Sequence, residues 1–333
     1  MPRTQALQDW ITQLFPGQVF DLAPASADAS FRRYFRITLS DGSTRVVMDA
    51  PPEHEDCRPY LQVARLLDDA GVHVPKVFAE DLQQGFLLLS DLGNTTYLDA
   101  LKAHPEGAAA LYREASSALV TLQKASRPGV LPEYDRALLS RELQLFPDWY
   151  IARHLGITLS ETQQAALTGV FEKILANNLA QPKVFVHRDY HSRNLMVSTP
   201  NPGVLDFQDA VYGPHTYDLV SLFRDAYITW EEEQELDWAI RYWEMARKEK
   251  LPVPADFYDF WRDYEWMGAQ RQIKVLGIFA RLCHRDGKDG YLADMPRVMA
   301  YLRRTAARYI DLKPLLLLLD ELENREVQTG YTF

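Results

Sequence analysis

The stretch His187-Arg188-Asp189-Tyr190-His191-Ser192-Arg193-Asn194, followed twelve residues later by Asp206 in Leu205-Asp206-Phe207-Gln208, decides how this chain reads. Asp189 and Asn194 bracket a short loop. Three β-type runs flank it: Val184-Phe185-Val186 before, Leu195-Met196-Val197 and Val204-Leu205-Asp206-Phe207 after. Between the last two lies Ser198-Thr199-Pro200-Asn201-Pro202-Gly203, dense in residues that favour turns, so a small hairpin is predicted from Leu195 to Leu205. That hairpin folds Asp206 back beside Asn194. A carboxylate on a rigid loop can accept a hydroxyl proton, while an amide oxygen and a second carboxylate can hold a cation that neutralises phosphate charge. Mg²⁺ prefers oxygen ligands and keeps several waters, so few protein ligands suffice. The competing reading is that His187, Asp189 and Asn194 merely cap turns. The downstream Asp-Phe at hairpin distance and a β-rich segment upstream favour the chemical one.

Working outward, the N-terminal side reads as a helix followed by strands. Leu7 to Phe15 is amphipathic at helical spacing. Phe31 to Leu39 and Thr44 to Ala50 are β-prone and joined at Ser40-Asp41-Gly42, a hairpin turn. A helix from about Arg58 to Ala70 ends at Gly71, and Lys76 to Glu80 and Gly85 to Ser90 are two more strands. From about Tyr97 the chain turns helical, with periodicity over Leu111–Gln123, Glu161–Asn177, Glu232–Lys248 and Phe257–Leu282. No internal repeat or low-complexity segment occurs. The expectation is an α+β protein with two parts: residues 1–91, a small antiparallel β lobe with one helix that binds nucleotide, and residues 92–333, a larger, mainly helical lobe with the catalytic loop and acceptor site.

His-Arg-Asp-x4-Asn with a later Asp-Phe resembles the catalytic and metal motifs of the protein-kinase-like superfamily. HRDYHSRN, LDFQDA and YDLVSL, at 187–194, 205–210 and 217–222, resemble more closely the aminoglycoside phosphotransferase and choline kinase branch. The resemblance spans nearly the whole chain. It implies a protein-kinase-like two-lobe fold, Asp189 as catalytic base, His187 as a brace of its loop, and Asn194 and Asp206 as Mg²⁺ ligands. It also implies Asp218 as a structural anchor for the loop and ATP as phosphoryl donor. Phe86 to Gly93 resembles the hinge that presents backbone groups to adenine, which points to Ser90 and Leu92. Only eleven residues separate Asp206 from Asp218, with no Ala-Pro-Glu element, which leaves no room for the activation loop of a protein kinase.

Two departures stand out. The stretch expected to cover phosphates, Ser26 to Arg33, contains no glycine, although Ser30 and either Arg32 or Arg33 could contact phosphate there. The strand Arg45-Val46-Val47-Met48-Asp49-Ala50 carries no lysine where the superfamily places one, and its usual glutamate partner is equally unclear. Loss of both leaves no unpaired charge. An arginine between Ser26 and Arg36 is expected to supply the phosphate charge instead.

The acceptor is read from Phe257 to Leu282. On one helix Trp266, Gln270, Ile273 and Gly277 share a face, with Arg271 and Lys274 adjoining, and paired cations there suit an anionic acceptor. The combination of DASFRRYFR (28–36), VVMDAPPE (46–53), LLLSDLG (87–93) and QRQIKVLGIFARL (270–282) is similar to the N-acetylmuramate/N-acetylglucosamine anomeric kinases of bacterial peptidoglycan recycling. That resemblance implies phosphorylation of the C1 hydroxyl to the α-1-phosphate, with Arg271 or Lys274 receiving the lactyl carboxylate and Gln270 beside them. An aminoglycoside or choline phosphotransferase, with a cationic acceptor, is the alternative. A pseudokinase that only binds is a further one, against which the intact base and metal ligands count.

Bulk properties bound the rest. With 333 residues, 47% hydrophobic and 25% charged, the chain is an ordinary globular one. A net charge of −10 argues against a nucleic-acid partner. Cys57 and Cys283 give neither a disulfide framework nor a metal spacing. The longest aliphatic run, Leu315 to Leu319, is far too short to cross a bilayer, and the N-terminus lacks the continuous apolar core of a signal peptide. A cytoplasmic location without a membrane partner is expected.

Overall fold

A computed structural model describes residues 3–27 and 31–323, with only the backbone described at residues 26 and 27. The chain runs α1 (Arg3–Leu14), β1 (Phe20–Ala27), β2 (Arg33–Leu39), β3 (Thr44–Asp49), α2 (Arg58–Asp69), β4 (Val77–Asp81) and β5 (Phe86–Ser90). Helices α3 (Tyr97–Ala103), α4 (Ala108–Lys124), α5 (Arg136–Leu145) and α6 (Glu161–Ala180) follow. Four short strands come next: β6 (Lys183–Val186), β7 (Leu195–Met196), β8 (Gly203–Val204) and β9 (Val211–Pro214). The remainder is helical: α7 (Tyr217–Phe223), α8 (Glu232–Lys248), α9 (Phe257–Asp286), α10 (Met295–Arg308) and α11 (Lys313–Leu322). The antiparallel sheet with its helix and the larger helical part match the expected fold class.

The chain divides into two units, Met1–Ala100 with Arg193–Asp209, and Leu101–Ser192 with Ala210–Phe333. In the first, five antiparallel strands pair in the order β1-β2-β3-β5-β4. One finding departs from the sequence reading: Phe20–Ala27 forms an extra strand, pairing Phe20 with Leu39 and Ala27 with Arg33. Leu7, Trp10 and Ile11 of α1 close over Ile37, Leu39, Val47, Phe86 and Leu88, which share one face because strand side chains alternate. Burying each such large side chain contributes about 1.5–3 kcal/mol. The segment 193–209 joins this unit through backbone contacts: Thr96 bridges Met196, the Val197 N–H donates to Thr95 O at 2.9 Å, and the Val204 N–H donates to His73 O at 2.8 Å.

In the second unit, β6 and β9 pair antiparallel from Lys183/Pro214 to Val186/Val211. Helix α9 is buried on nearly every side from Asp263 to Ala280, as a helix in the centre of a helical layer must be. Its buried Glu265 and Lys274 are paired inside, the latter with Glu142. The Arg224 guanidinium, after α7, meets Glu235 of α8 and Glu265 of α9, while Arg304 of α10 also reaches Glu235. The face holding Gln270 and Gly277 packs against α5. A methyl group on Gly277 would stand 2.4 Å from the Leu145 carbonyl carbon, so only glycine permits that approach.

Gly277→Ala should therefore destabilise the protein by about 1–3 kcal/mol, as overpacking does. Thermal melting compares it with Gly290→Ala, where an added methyl meets nothing within 4 Å and no shift is expected.

Candidate active site

Strand β6 delivers His187 into a loop whose backbone is fixed from α7. Asp218 accepts the His187 N–H at 2.7 Å and the Arg188 N–H at 2.9 Å. Burial pushes the Asp218 carboxyl up to about 6 despite those donors. Arg188 is held at φ 78°, a left-handed conformation costly for a residue with a Cβ. Such strain persists only where surrounding structure imposes it, and here two hydrogen bonds do. The His187 ring, 1% exposed, accepts the Asp189 N–H on Nδ1 at 3.2 Å. The His187 ring is thereby held against the backbone of Asp189.

The Arg188 side chain turns toward Glu142 of α5, at 2.6 Å. Glu142 also receives Lys274 Nζ of α9 at 3.0 Å and the Tyr134 hydroxyl, while Lys274 donates to the Tyr217 hydroxyl at 2.7 Å. Burial works to raise the Glu142 pKa, but Lys274 and Arg188 outweigh it and hold the group below the usual carboxylate range. Asp189 behaves alike. Burial opposes its ionisation, yet Lys274, His191, Arg188 and Arg271 together keep its pKa below normal. A carboxylate so held is charged at neutral pH and able to orient a hydroxyl.

In the first unit, β7 and β8 pair Leu195 with Val204 and Met196 with Gly203, and the Leu205 N–H donates to Asn194 O at 2.9 Å. The predicted hairpin is therefore present. It brings the Asn194 Nδ2 and Asp206 Oδ2 atoms to 3.4 Å. Asp206 adopts φ 63°, the second strained non-glycine residue within a motif. Phe207 turns inward against Tyr60 of α2, ring centres 4.8 Å apart, which fixes the direction of the neighbouring carboxylate. Gln208 Nε2 donates to Asp206 Oδ1 at 2.9 Å, and Arg32 Nη2 lies 3.9 Å from the same oxygen. Among the described residues no group of three or more His, Cys, Asp or Glu could hold a metal ion. One amide oxygen and one carboxylate nevertheless fit Mg²⁺, which takes hard oxygen donors and completes its shell with water and phosphate.

Strand register separates the two candidate arginines. Arg33 pairs with Asp49, and Asp49 with Phe86, so all three lie on the α1 face. There the Arg33 guanidinium closes on the fully buried Asp49 carboxylate, which Arg3 of α1 also donates to at 2.6 Å. Arg33, expected as a possible phosphate contact, instead neutralises an internal anion. Arg32 lies between Glu55 at 4.0 Å and Asp206 at 3.9 Å. Ser30 lies outside the described residues. The Ser90 hydroxyl accepts the Lys76 N–H at 2.9 Å, tying the end of β5 to the start of β4. The Leu92 side chain lies against Gly203, where an added methyl would come within 2.8 Å of it. Arg36 grips Asp91 through two bonds of 2.6 and 3.0 Å and the Gly93 carbonyl at 2.9 Å, so the segment from Ser90 to Gly93 is held to β2.

The three residues expected at the acceptor have different environments. Gln270 is fully buried and donates to Leu139 O at 3.0 Å, so it joins α9 to α5. Lys274 has its charge balanced by Glu142. Arg271 is 4% exposed, its Nε is buried without a hydrogen bond, and its charge acts on Asp189. Sequence reasoning missed Glu142 and the Arg36–Asp91 pair, because each lies 46 or 55 residues from its partner and no local pattern announces it.

Over residues 21–258 the chain matches the phosphotransferase enzyme family. It is 54% identical over 336 residues to a Neisseria meningitidis serogroup B protein named N-acetylmuramate/N-acetylglucosamine kinase, with all of both chains covered. A Pseudomonas aeruginosa protein of the same name is 52% identical over 323 residues, covering 94% of this chain and 95% of that one. Among solved structures, a choline kinase from Streptococcus pneumoniae superposes with a TM-score of 0.63 at 14% identity, covering 92% of this chain and 99% of its own. That last likeness is one of fold. With the hairpin, the strained loop and the family pattern coinciding, the chain belongs to the phosphotransferase enzyme family.

Proposed function

We propose that this protein transfers the γ-phosphoryl group of ATP to the anomeric C1 hydroxyl of N-acetylmuramate and N-acetylglucosamine, yielding the α-1-phosphate in peptidoglycan recycling. The chemistry rests on one observation, the 3.4 Å approach of Asn194 and Asp206 on a hairpin whose Asp206 backbone is strained into place. These two residues would hold Mg²⁺, which when bound would neutralise charge on the transferring phosphate. Asp189 orients the sugar hydroxyl and takes its proton as the bond to phosphorus forms. Ser90 and Leu92 belong to the segment that meets adenine, and Arg32, beside Asp206, supplies the phosphate charge that the missing lysine does not. The acceptor class comes from the names of the full-length relatives.

The cationic surroundings of Asp189 favour this reading over a cationic acceptor. Arg188, Arg271 and Lys274 all act on that carboxylate. With Lys274 and Arg188 on Glu142, Arg271 is the guanidinium for the lactyl carboxylate of N-acetylmuramate. Among the described residues no helix is long and apolar enough to cross a membrane.

Turnover of ATP with N-acetylmuramate, N-acetylglucosamine, kanamycin and choline tests the assignment. The two amino sugars should be phosphorylated at C1, and a response confined to the cationic compounds would overturn it. In Asp189→Asn, kcat should fall about 10²- to 10⁴-fold with melting unchanged. Arg32→Ala should raise the nucleotide KM roughly tenfold or more, as loss of a charge-assisted phosphate contact does. Arg33→Ala should instead lower the melting temperature and spare the nucleotide KM. Arg271→Ala should weaken N-acetylmuramate more than N-acetylglucosamine, and an equal loss on both would remove Arg271 from the carboxylate.

A further inference from the structure

His191 stands two residues beyond Asp189 and has no part in the proton transfer or the metal pair. Its N–H donates to the Asp189 carbonyl at 3.0 Å, so its backbone is joined to that of the base. The loop around it is clamped by Asp225, which accepts the Ser192 N–H at 2.9 Å and the Tyr227 N–H at 2.8 Å. The imidazole meets the Tyr227 ring edge-on, 5.4 Å between centres, and is 8% exposed. Such packing fixes the ring's orientation. Its Nδ1 is buried without a hydrogen bond, and Nε2 is the nitrogen left accessible.

The proton position follows. A buried N–H without an acceptor is rarer and costlier than an unused lone pair, so Nδ1 carries the lone pair and Nε2 the hydrogen. Burial pushes the ring's pKa down to about 4, against the pull of Asp225 and Asp189, and Arg271 and His187 lower it further. His191 is therefore a neutral donor at physiological pH. His191 adjoins Asp189 through that backbone hydrogen bond, and the Arg271 charge acts on both.

We propose that His191 is the specificity-determining residue for the acceptor's 2-acetamido group, its Nε2–H donating to the amide carbonyl oxygen. The inference rests on the amino-sugar reading above. Three consecutive substituents of the pyranose then meet three neighbouring side chains: the C1 hydroxyl at Asp189, the C2 acetamido group at His191 and the C3 lactyl carboxylate at Arg271. Of the acceptors flanking a C1 hydroxyl, an amide carbonyl is far stronger than a ring ether, and a fixed neutral donor selects it. A neutral ring also adds no charge beside Arg271, which is left to read the carboxylate alone. Sugars with a plain hydroxyl at C2 leave the donor without its amide partner, and sites built around a hydrogen bond discriminate strongly against such analogues.

The test measures kcat/KM of the wild-type chain, His191→Ala and His191→Gln with N-acetylglucosamine and with glucose. Calorimetric binding of the same two sugars serves where glucose turnover is too slow to follow. His191→Ala should lose roughly tenfold or more on N-acetylglucosamine, the worth of one buried hydrogen bond, while glucose stays within about twofold. His191→Gln, whose Nε2 donor overlays that of the imidazole, should recover part of the loss and covers the case in which the alanine variant fails to fold. Equal losses on both sugars would overturn the role of His191 while leaving the sugar-kinase reading intact. Absence of any amino-sugar phosphorylation by the wild-type chain would overturn that reading, and this inference with it.

Discussion

The Asp218 carboxylate, by accepting two successive backbone N–H groups, dictates the conformation of the loop that carries Asp189. The His187 and Arg188 amides converge on its two oxygens, and Arg188 can satisfy that demand only with a left-handed backbone. Once Arg188 is turned this way, its side chain points to Glu142 and the next residue presents its carboxylate. The strain is offset by hydrogen bonds made in a buried setting, where they are worth most. Removing Asp218 would therefore free the backbone of the loop before it affected any side chain within it.

Charge around that loop is distributed so that no single group is left to bear it. Glu142 answers Arg188 and Lys274, and the hydroxyls of Tyr134 and Tyr217 complete the set. A buried anion between two cations is stable only when its remaining oxygen valences are filled, as they are here. The result is a carboxylate at Asp189 that remains ionised in spite of its burial. The first unit repeats the device on a different surface, with Asp49 held between Arg3 and Arg33. In both places an acidic residue in the interior fixes the direction of arginines, a role for acid groups that composition cannot reveal.

Features encoded over a few residues were legible. The Leu195–Leu205 hairpin, the placement of Asn194 against Asp206, and helices such as Glu232–Lys248 follow from turn residues and periodicity. The strand at Phe20–Ala27 was not legible, because Ala-Pro-Ala-Ser-Ala has neither β-branched residues nor alternation, and only pairing with β2 makes it a strand. Arg32 and Arg33 look alike until the register of β2 against β3 assigns Arg33 to the side of Asp49. Gln270 looked like a ligand contact because helical spacing identifies a face but does not tell what covers it; the answer is α5. Glu142 emerged only when the chain folded.

The three-way contact of Arg3, Asp49 and Arg33 gives α1 a standing that its position at the chain's beginning conceals. Cutting the helix away would uncover Phe86 and leave Asp49, the last residue of β3, with one cation where it now has two. Shortened versions of the protein that start at the first strand would thus lose more than a cap. They would loosen the start of β2, next to Arg32, so this helix acts as a strut for that end of the sheet.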